Sequence, residues 1–486
     1  MRAKHCLFFF FASFIIIFLA GCGGNGNSLS FPPPAGGFTN ANLTGPFAFS
    51  YTGTDSRGFL AVAGSFQADG AGHITSGAED INSGFGIHTN AAISGSYTVR
   101  ADGRGSATLN SPAGNTTIDF VLVAAGHALV TRFDGNATGS GTVDQQTTSA
   151  FSNAALAGTF AFNVSGIDGA SLPIGVAGNF TSDASGNITS GLDDSNDSGA
   201  VVLSDPLTGS IPVTAGGRGS ATLNTSHGSL VFAFYVVDAN HLKIVEVDTT
   251  LAMGGEAFRQ NGPFSPASLS GPFAFSIAGT DLFARGPFAA AGALTSDGGG
   301  NITSGTEDLN DSGTVRTGLA ISSSTYTMAA TGRGTLSLVT SSGTFNFAIY
   351  PTTSGVLTLE TDSSFVTTGV ALAQQTAAFT SSSFSGIYGI NFTGSTGSNE
   401  LDSIAQFTAD GSSKVSGIID LNNTGTITFG QPLSGTFSVA PNGRTTLMLQ
   451  TPLGTQNMVV YLVNGTRALF IELDNNLVAA GDIRHQ

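Results

Sequence analysis

The sequence predicts an all-β protein built from four tandem antiparallel β-meander domains of about eight strands each. Three observations predict this fold class. Four sequence blocks recur in the same order along the chain, apolar and polar residues alternate with a period of two, and turn residues follow every dozen residues or so without any helical periodicity. Eight sequential strands can close into an up-and-down barrel, which removes both sheet edges, although a two-sheet β-sandwich fits the same strand count.

The first two blocks define the repeat. An aromatic strand follows Gly45, Gly158, Gly271 and Gly386, which are 113, 113 and 115 residues apart. The second block reads DGAGHITSGAEDIN (69–82), DASGNITSGLDDSN (183–196), DGGGNITSGTEDLN (297–310) and the shortened DGSSKVSGIIDLN (410–422). A unit of this length is a whole domain rather than a solenoid repeat. The predicted domains are 38–146, 151–260, 264–375 and 379–486.

Each unit contains strands with one apolar face. Phe47, Phe49 and Tyr51 alternate with Ala48 and Ser50, and the other copies repeat this pattern. Such alternation is typical of a half-buried strand. Because Phe is frequent at the inward positions, including Phe66 and Phe120, we expect filled barrel interiors, since eight strands leave little room beyond their own side chains.

The third and fourth blocks each repeat one charged residue. The third block places an Arg in a turn and the fourth ends in an Asp. These repeated positions are Arg104, Arg218, Arg333 and Arg444, and Asp134, Asp248, Asp362 and Asp474. We expect the guanidinium groups to bridge a repeated carboxylate or turn carbonyls and so to fix the hairpin, with an anion clamp as the rival hypothesis.

The second block also resembles a calcium-binding loop in its oxygen-rich spacing. In the second copy Asp183, Ser185, Asn187 and then Asp193 and Asp194 alternate as cation ligands would. The EF-hand pattern fails, however, because an apolar residue occupies the position that requires Gly, and the fourth copy carries Lys414. A hairpin turn explains the block better, and we predict no metal site.

Catalytic residues are not evident in any copy. None of the six histidines that follow the first twenty residues recurs in all four copies, and they are interpreted as solvated loop residues: His73, His88, His127, His227, His241 and His485. Adjacent carboxylates occur at 79–80, 193–194 and 307–308, but neighbours on a strand point to opposite faces. The sequence therefore predicts neither an enzyme nor a cofactor.

Composition restricts the partners. Charged residues make up only 10% of the chain, against about 25% in an ordinary globular domain. The 16 Lys and Arg face 32 Asp and Glu, which gives a net charge of −16. Nucleic acid is excluded as a partner, because no basic patch can neutralise a run of phosphates.

The N-terminus carries a targeting signal. Two basic residues, an apolar run and the string Leu19-Ala20-Gly21-Cys22 follow one another. This segment resembles a bacterial lipoprotein signal peptide with its lipobox. The resemblance implies cleavage of residues 1–21, acylation of Cys22 and anchoring to a membrane, with Gly23 favouring the outer membrane. The composition of residues 22–37, rich in Gly, Asn, Ser and Pro, predicts a flexible tether.

Repetition without catalytic residues predicts a structural, adhesive or multivalent surface-binding protein of the cell envelope. A repetitive partner such as a polysaccharide or another cell-surface polymer suits four weak sites displayed together. The alternative is a protein that binds small apolar ligands inside its barrels, and an envelope hydrolase is the least favoured possibility.

Overall fold

The computed structural model describes residues 37–397 and 399–486. These residues form four closed antiparallel barrels of eight strands, and strands adjacent in sequence are adjacent in each barrel. The predicted all-β meander is confirmed, and the sandwich alternative is wrong because each sheet closes on itself. The predicted signal peptide, Cys22 and residues 22–36 of the tether lie outside the described residues. Within 37–397 and 399–486 no helix is long and apolar enough to cross a membrane.

Barrel 1 closes where its first strand pairs with both its second and its last strand. Its fourth strand is divided into β4 and β5, which both pair with β3. The strands are β1 (Thr44–Asp55), β2 (Gly58–Asp69), β3 (His73–Ser83), β4 (Gly86–Ala92), β5 (Ser94–Val99), β6 (Arg104–Asn110), β7 (Thr116–Ala124), β8 (His127–Asp134) and β9 (Ala137–Gln145).

Barrels 2 and 3 repeat this arrangement, including the divided fourth strand. Barrel 2 contains β10 (Gly158–Asp168), β11 (Pro173–Ser182), β12 (Asn187–Asp197), β13 (Ala200–Pro206), β14 (Thr208–Ser210), β15 (Arg218–Thr225), β16 (Gly228–Asp238), β17 (His241–Glu246) and β18 (Leu251–Arg259). Barrel 3 contains β19 (Ser270–Asp281), β20 (Gly286–Asp297), β21 (Asn301–Asp311), β22 (Thr314–Ala320), β23 (Ser324–Met328), β24 (Gly334–Thr340), β25 (Gly343–Thr352), β26 (Gly355–Glu360) and β27 (Phe365–Ala373).

Barrel 4 has a continuous fourth strand. Its strands are β28 (Ser385–Thr396), β29 (Asn399–Asp410), β30 (Lys414–Asn423), β31 (Thr426–Val439), β32 (Arg444–Thr451), β33 (Gly454–Leu462), β34 (Arg467–Glu472) and β35 (Val478–His485). The described helical segments are single turns: the helix α1 (Asn153–Leu156) and 3-10 turns at Asn40–Asn42, Thr148–Ala150, Pro266–Leu269 and Ser381–Ser383.

Aromatic side chains fill the barrel interiors, as the Phe positions predict. Phe47 and Phe49 are fully buried in barrel 1, and the ring of Phe47 stacks on Phe66 with centroids 5.5 Å apart. A Cβ atom on Gly64 would lie 2.4 Å from the Phe49 ring, so this Gly makes room for an aromatic ring rather than a bend in the strand. Internal cavities in barrels 1 and 3 measure about 30 and 40 Å³, the space of about one water molecule.

The four barrels pack against one another in a closed ring. In the first three contacts, which we call seams, the first two strands of one barrel meet strands six to eight of the next barrel. The fourth seam joins barrel 4 back to barrel 1, where Ile404 packs against Val121, Val123 and Leu129. Each barrel therefore has two neighbours, although the chain is linear.

Candidate functional site

The repeated arginines lie in the seams. Arg218 of barrel 2 donates through Nε and Nη2 to the two carboxylate oxygens of Asp80 in barrel 1, at 2.8 and 2.6 Å. Arg333 binds Asp194 and Arg444 binds Asp308 in the same way, with all four distances at 2.7 Å. The carboxylate partner thus belongs to the second block of the preceding barrel. Such bidentate pairs are stronger than neutral hydrogen bonds.

A tyrosine completes each of these three sites. Tyr235 donates its hydroxyl to Asp80 at 2.5 Å, and Tyr350 and Tyr461 donate to Asp194 and Asp308. Burial, followed by the negative charge of Asp80, raises the pKa of Tyr235 well above its ordinary value. The three aspartates are fully buried, so these donors replace the hydrogen bonds that water would give their carboxylates.

The fourth seam has different chemistry. Arg104 binds Asp102 of its own turn at 2.9 Å, and its Nη1 lies 3.8 Å from Asp420 of barrel 4. Val121 occupies the position of the seam tyrosines, opposite Arg104 in the strand register. Asp402 of barrel 4 instead accepts hydrogen bonds from Thr138 and Ser140 of barrel 1 at 2.5 and 2.8 Å.

Four equivalent asparagines join every seam through the backbone. Asn196 donates to the carbonyls of Glu360, Asp362 and Phe365 of the next barrel, at 3.0, 3.0 and 2.8 Å. Asn82, Asn310 and Asn422 make the matching contacts, the last of them from barrel 4 to barrel 1. These asparagines end the second block of each copy.

The repeated aspartates of the fourth block take part in this contact through their main chain. The carbonyls of Asp134, Asp248, Asp362 and Asp474 each lie within 3.4 Å of an asparagine of the preceding barrel. Their carboxylates stay within their own barrel. In Asp362, for example, the carboxylate accepts from the backbone and side chain of Asn346. They are not the partners of the repeated arginines.

A glutamine at the end of each copy forms a third repeated contact. Gln146, Gln260 and Gln374 each donate to a main-chain carbonyl of the next barrel, at 2.6, 2.8 and 2.5 Å. In the third copy this residue is Gln374, whereas the neighbouring Gln375 uses its backbone N–H. Gln486 makes the same contact from barrel 4 to barrel 1.

In the turns that resemble calcium-binding loops, hydrogen-bond donors of the turn itself bind the aspartate carboxylate. Asp183 accepts N–H groups of Ser185 and Asn187 on one oxygen and the Asn187 side chain on the other. These hydrogen bonds, led by that of the Asn187 side chain, lower the pKa of Asp183. The arrangement is that of a hydrogen-bonded turn before a strand.

The adjacent carboxylates separate onto opposite faces of their strand. Asp308 reaches the seam, whereas Glu307 is buried on the other face with no hydrogen-bond partner for either oxygen among the described residues. Burial raises the pKa of Glu307 to about 8. The pair therefore does not form a two-carboxylate site.

Residues of all four barrels line a cavity of about 530 Å³ that is partly open to solvent, and we call it the axial cavity. His127 and His241 face it from equivalent strands of barrels 1 and 2. Their side chains are 20% and 17% exposed and lie beside Asp144 and Glu256 respectively. The interpretation of these two histidines as solvated loop residues is wrong, because the ring covers the strands that carry them. The volume of the axial cavity lies within the range of small-molecule sites.

A second cavity of about 470 Å³ lies between barrels 1, 3 and 4. Glu400 and Thr424 border it, and burial and the nearby Asp402 raise the pKa of Glu400 to about 10. This acid is therefore neutral near pH 7. Neither inter-barrel cavity could be located from one repeat, because several barrels contribute to each.

Two sets of seam residues carry a sequence signal that the repeat analysis did not use. The asparagines occur in all four copies, and the tyrosines in three of four at a fixed distance after the repeated Arg. Polar residues that recur in every copy without a catalytic role indicate contacts between copies.

No protein-family model matches the chain, and no curated protein matches it. Among solved structures, the chain is similar to a mutant of transferrin-binding protein B from Haemophilus parasuis at 11% identity and a TM-score of 0.20, covering 76% of this chain and 85% of that one. Intact Ap-TbpB with its N and C lobes gives 9% and 0.17, with coverages of 76% and 86%. CghA gives 11% and 0.16, with coverages of 82% and 89%. TM-scores this low establish no common fold and no common function.

Proposed function

We propose that the chain is a lipid-anchored protein of the cell envelope with a structural, adhesive or surface-binding role and no enzymatic activity. The anchor is an acylated Cys22, which the lipobox-like LAGC string supports, and Gly23 favours the outer membrane. The ring of barrels is a rigid scaffold. Its partner is a repetitive surface polymer such as a polysaccharide.

The observation that carries this proposal is a set of exposed hydroxyl groups that recurs around the ring. In each barrel, the strands that follow the second block expose Ser and Thr side chains to solvent. We call the exposed hydroxyl groups of one barrel a hydroxyl ladder. Representative members are Ser96 and Thr108 in barrel 1, Thr208 in barrel 2, Thr327 and Thr335 in barrel 3, and Thr436 and Ser438 in barrel 4. In barrel 3 the hydroxyls of Thr327 and Thr335 are hydrogen-bonded across the two strands at 2.7 Å.

Such surfaces suit a hydroxyl-rich polymer. Each ladder offers donors and acceptors without charge, so that each contact is weak. Several ladders held rigidly raise the overall affinity if the polymer can reach more than one of them. The filled barrel interiors disfavour the alternative of an apolar ligand inside a barrel, since their small cavities cannot hold one.

The test is co-sedimentation of the full-length protein, in mild detergent, with insoluble envelope polysaccharide. We expect alanine substitutions in one ladder (Thr436→Ala with Ser438→Ala) to weaken retention slightly and substitutions in all four ladders to weaken it more than tenfold. The control variant, Ser56→Ala with Ser413→Ala, changes exposed hydroxyls in turns. Retention that is unchanged in the four-ladder variant would overturn the polymer-binding proposal.

The anchor is tested separately. Cys22→Ser should move the protein from the membrane fraction to the soluble fraction, because acylation needs the thiol. Membrane retention of this variant would contradict the anchor while leaving the polymer-binding test unaffected.

A further inference from the structure

The four copies differ in charge where they line the axial cavity. At the position of His127, the other barrels carry His241, Gly355 and Arg467. At the position of Glu256, they carry Thr142, Val370 and Asp482. The seams, by contrast, keep their asparagines and glutamines in all four copies. The cavity therefore has a cationic, an anionic and an apolar wall.

The barrel 4 wall is cationic. Arg467 and Arg484 both bind Asp482, with Nη2 to Oδ2 distances of 3.0 and 2.7 Å. Two guanidinium groups share one carboxylate, which leaves one net positive charge. Their side chains are 25% and 28% exposed, and each guanidinium has five N–H donors, more than Asp482 can accept. This wall can bind an anionic group.

The wall formed by barrels 1 and 2 is anionic. The fully buried Lys243 lies 2.8 Å from Asp144 and 3.0 Å from Glu256, so one ammonium group faces two carboxylates. The net charge of these three groups is negative. Although burial opposes it, Lys243 holds the pKa of both carboxylates below their ordinary values. They remain ionised at neutral pH.

His127 supports the anionic wall. Its Nδ1 lies 2.5 Å from Asp144, so the imidazole ring holds that carboxylate in place. A ligand ammonium group would have the carboxylates of Asp144 and Glu256 as acceptors here.

The third wall is apolar. Leu357 and Val370 of barrel 3 line the cavity without a charged group of their own. A hydrocarbon substituent would therefore lie against barrel 3 while charged groups engage the other barrels.

We propose that the axial cavity binds a small zwitterion that carries a primary ammonium group, an anionic group and an apolar substituent. The ammonium group contacts Asp144 and Glu256, and the anionic group contacts Arg467 and Arg484. A free amino acid and a phosphoethanolamine compound share this chemistry. Arg484 attracts Asp144 and Glu256 across the cavity. A ligand with one charge therefore satisfies one wall and weakens this attraction without replacing it at the other wall. This site is distinct from the polymer-binding surface.

The test uses the full-length protein in mild detergent and isothermal titration calorimetry with four probes. L-leucine carries both charges, isocaproate lacks the ammonium group, and isoamylamine lacks the carboxylate. O-phosphoethanolamine carries phosphate in place of the carboxylate and has no apolar side chain. We expect leucine or O-phosphoethanolamine to bind, and each singly charged probe to bind at least about tenfold more weakly, the effect of losing a charge-assisted hydrogen bond. The better zwitterion identifies the source of the ligand.

Two variants locate the binding site. Arg484→Gln should weaken zwitterion binding about tenfold, and Val370→Phe should block the cavity without removing a charge. Arg57→Gln, which alters an exposed Arg in the β1–β2 turn, is the matched control and should bind as the native protein does. If Arg484→Gln does not fold, Val370→Phe and the probe series still decide the question.

Two results would overturn the proposal. The first is binding of isocaproate or isoamylamine as tight as that of the zwitterions. The second is no binding of either zwitterion at millimolar concentration to folded protein. In that case the charges serve only as ion pairs between barrels.

Discussion

The side chain of Gln486 donates an N–H to the carbonyl of Leu122, 364 residues earlier in the chain, at 2.7 Å. The same glutamine also reaches the carbonyl of Asp102 at 3.1 Å. These contacts match those of Gln146, Gln260 and Gln374 in the other seams. The last barrel is therefore attached to the first as each barrel is attached to its successor, and the repeat forms a ring.

The seam ion pairs should contribute strongly to stability. We expect Arg218→Ala to lower the free energy of unfolding by about 3 kcal/mol, because it leaves the fully buried Asp80 without its bidentate partner. Arg104→Ala is the comparison, and its cost should be smaller, since Arg104 lies 3.8 Å from its seam carboxylate and makes its short contact with Asp102 of its own turn. Urea unfolding measures both variants. Equal costs would show that the seam pair has no special role.

Replacing a seam asparagine with alanine should destabilise the protein less than replacing it with aspartate. Asn310→Ala removes the amide that donates to the carbonyls of Glu472, Asp474 and Leu477, at a cost of about 1–3 kcal/mol. Asn310→Asp should be worse, because a carboxylate would face those same carbonyl oxygens. Thermal unfolding ranks the variants, with exposed Asn476→Asp as the control. A more stable Asp variant than Ala variant would contradict the contact.

The two side chains that meet at one place in a seam should be exchangeable as a pair, a large one with a small one. Tyr235 packs against Ala63, whereas Val121 packs against Ile404 at the equivalent place in the fourth seam. Val121→Tyr alone should destabilise the protein by overpacking. Adding Ile404→Ala should recover at least about 1 kcal/mol, which a double-mutant cycle measures. Additive effects would mean that the two positions are not in contact.

Stability should fall as pH rises above the acidic range. Glu307 has a pKa of about 8 in the folded protein because it is buried, against about 4.3 in an unfolded chain. The folded state thus holds this proton more tightly, so its stabilising effect is complete below pH 4.3 and is lost as pH rises towards 8. We expect a higher thermal midpoint at pH 5 than at pH 8.

Two variants separate this effect from others. Glu307→Gln should flatten the decline between pH 5 and pH 8. Asp183→Asn should leave it unchanged, because hydrogen bonds within the turn, led by that of the Asn187 side chain, hold the pKa of Asp183 below its ordinary value and so below that range. A decline of equal slope in the Glu307→Gln variant would assign the pH dependence to other groups.

The barrels could be predicted from the sequence, because repetition and alternation are visible in short segments of the chain. Phe47 and Phe49 mark the inner face of β1, and the turns after Asp69 and Asp183 end the second strands. Ala48 lies on the outer face and is fully buried, which alternation alone does not predict. An outer face made of Ala rather than polar residues indicates a strand covered on both sides, and this is the signal for the seams.

The axial cavity could not be predicted in the same way. His127, His241 and Arg467 occupy one structural position in three barrels, yet only the closed ring brings them to a common space. The arginines were expected to bridge a repeated carboxylate, but the identity of Asp80 as the partner of Arg218 depends on how barrels 1 and 2 pack. Contacts between copies do not follow from the pattern within a copy.

Closure of the ring is tested most directly by pulsed electron paramagnetic resonance on pairs of spin labels. Labels at Asn136 and Thr426 span the fourth seam, and labels at the equivalent Asn476 and Thr314 span the third, all four positions being exposed. Both pairs are introduced as cysteines into a chain in which Cys6 and Cys22 are replaced. A closed ring predicts the same short, narrow distance distribution for the two pairs. A short distance across the third seam with a long or broad one across the fourth would contradict the ring.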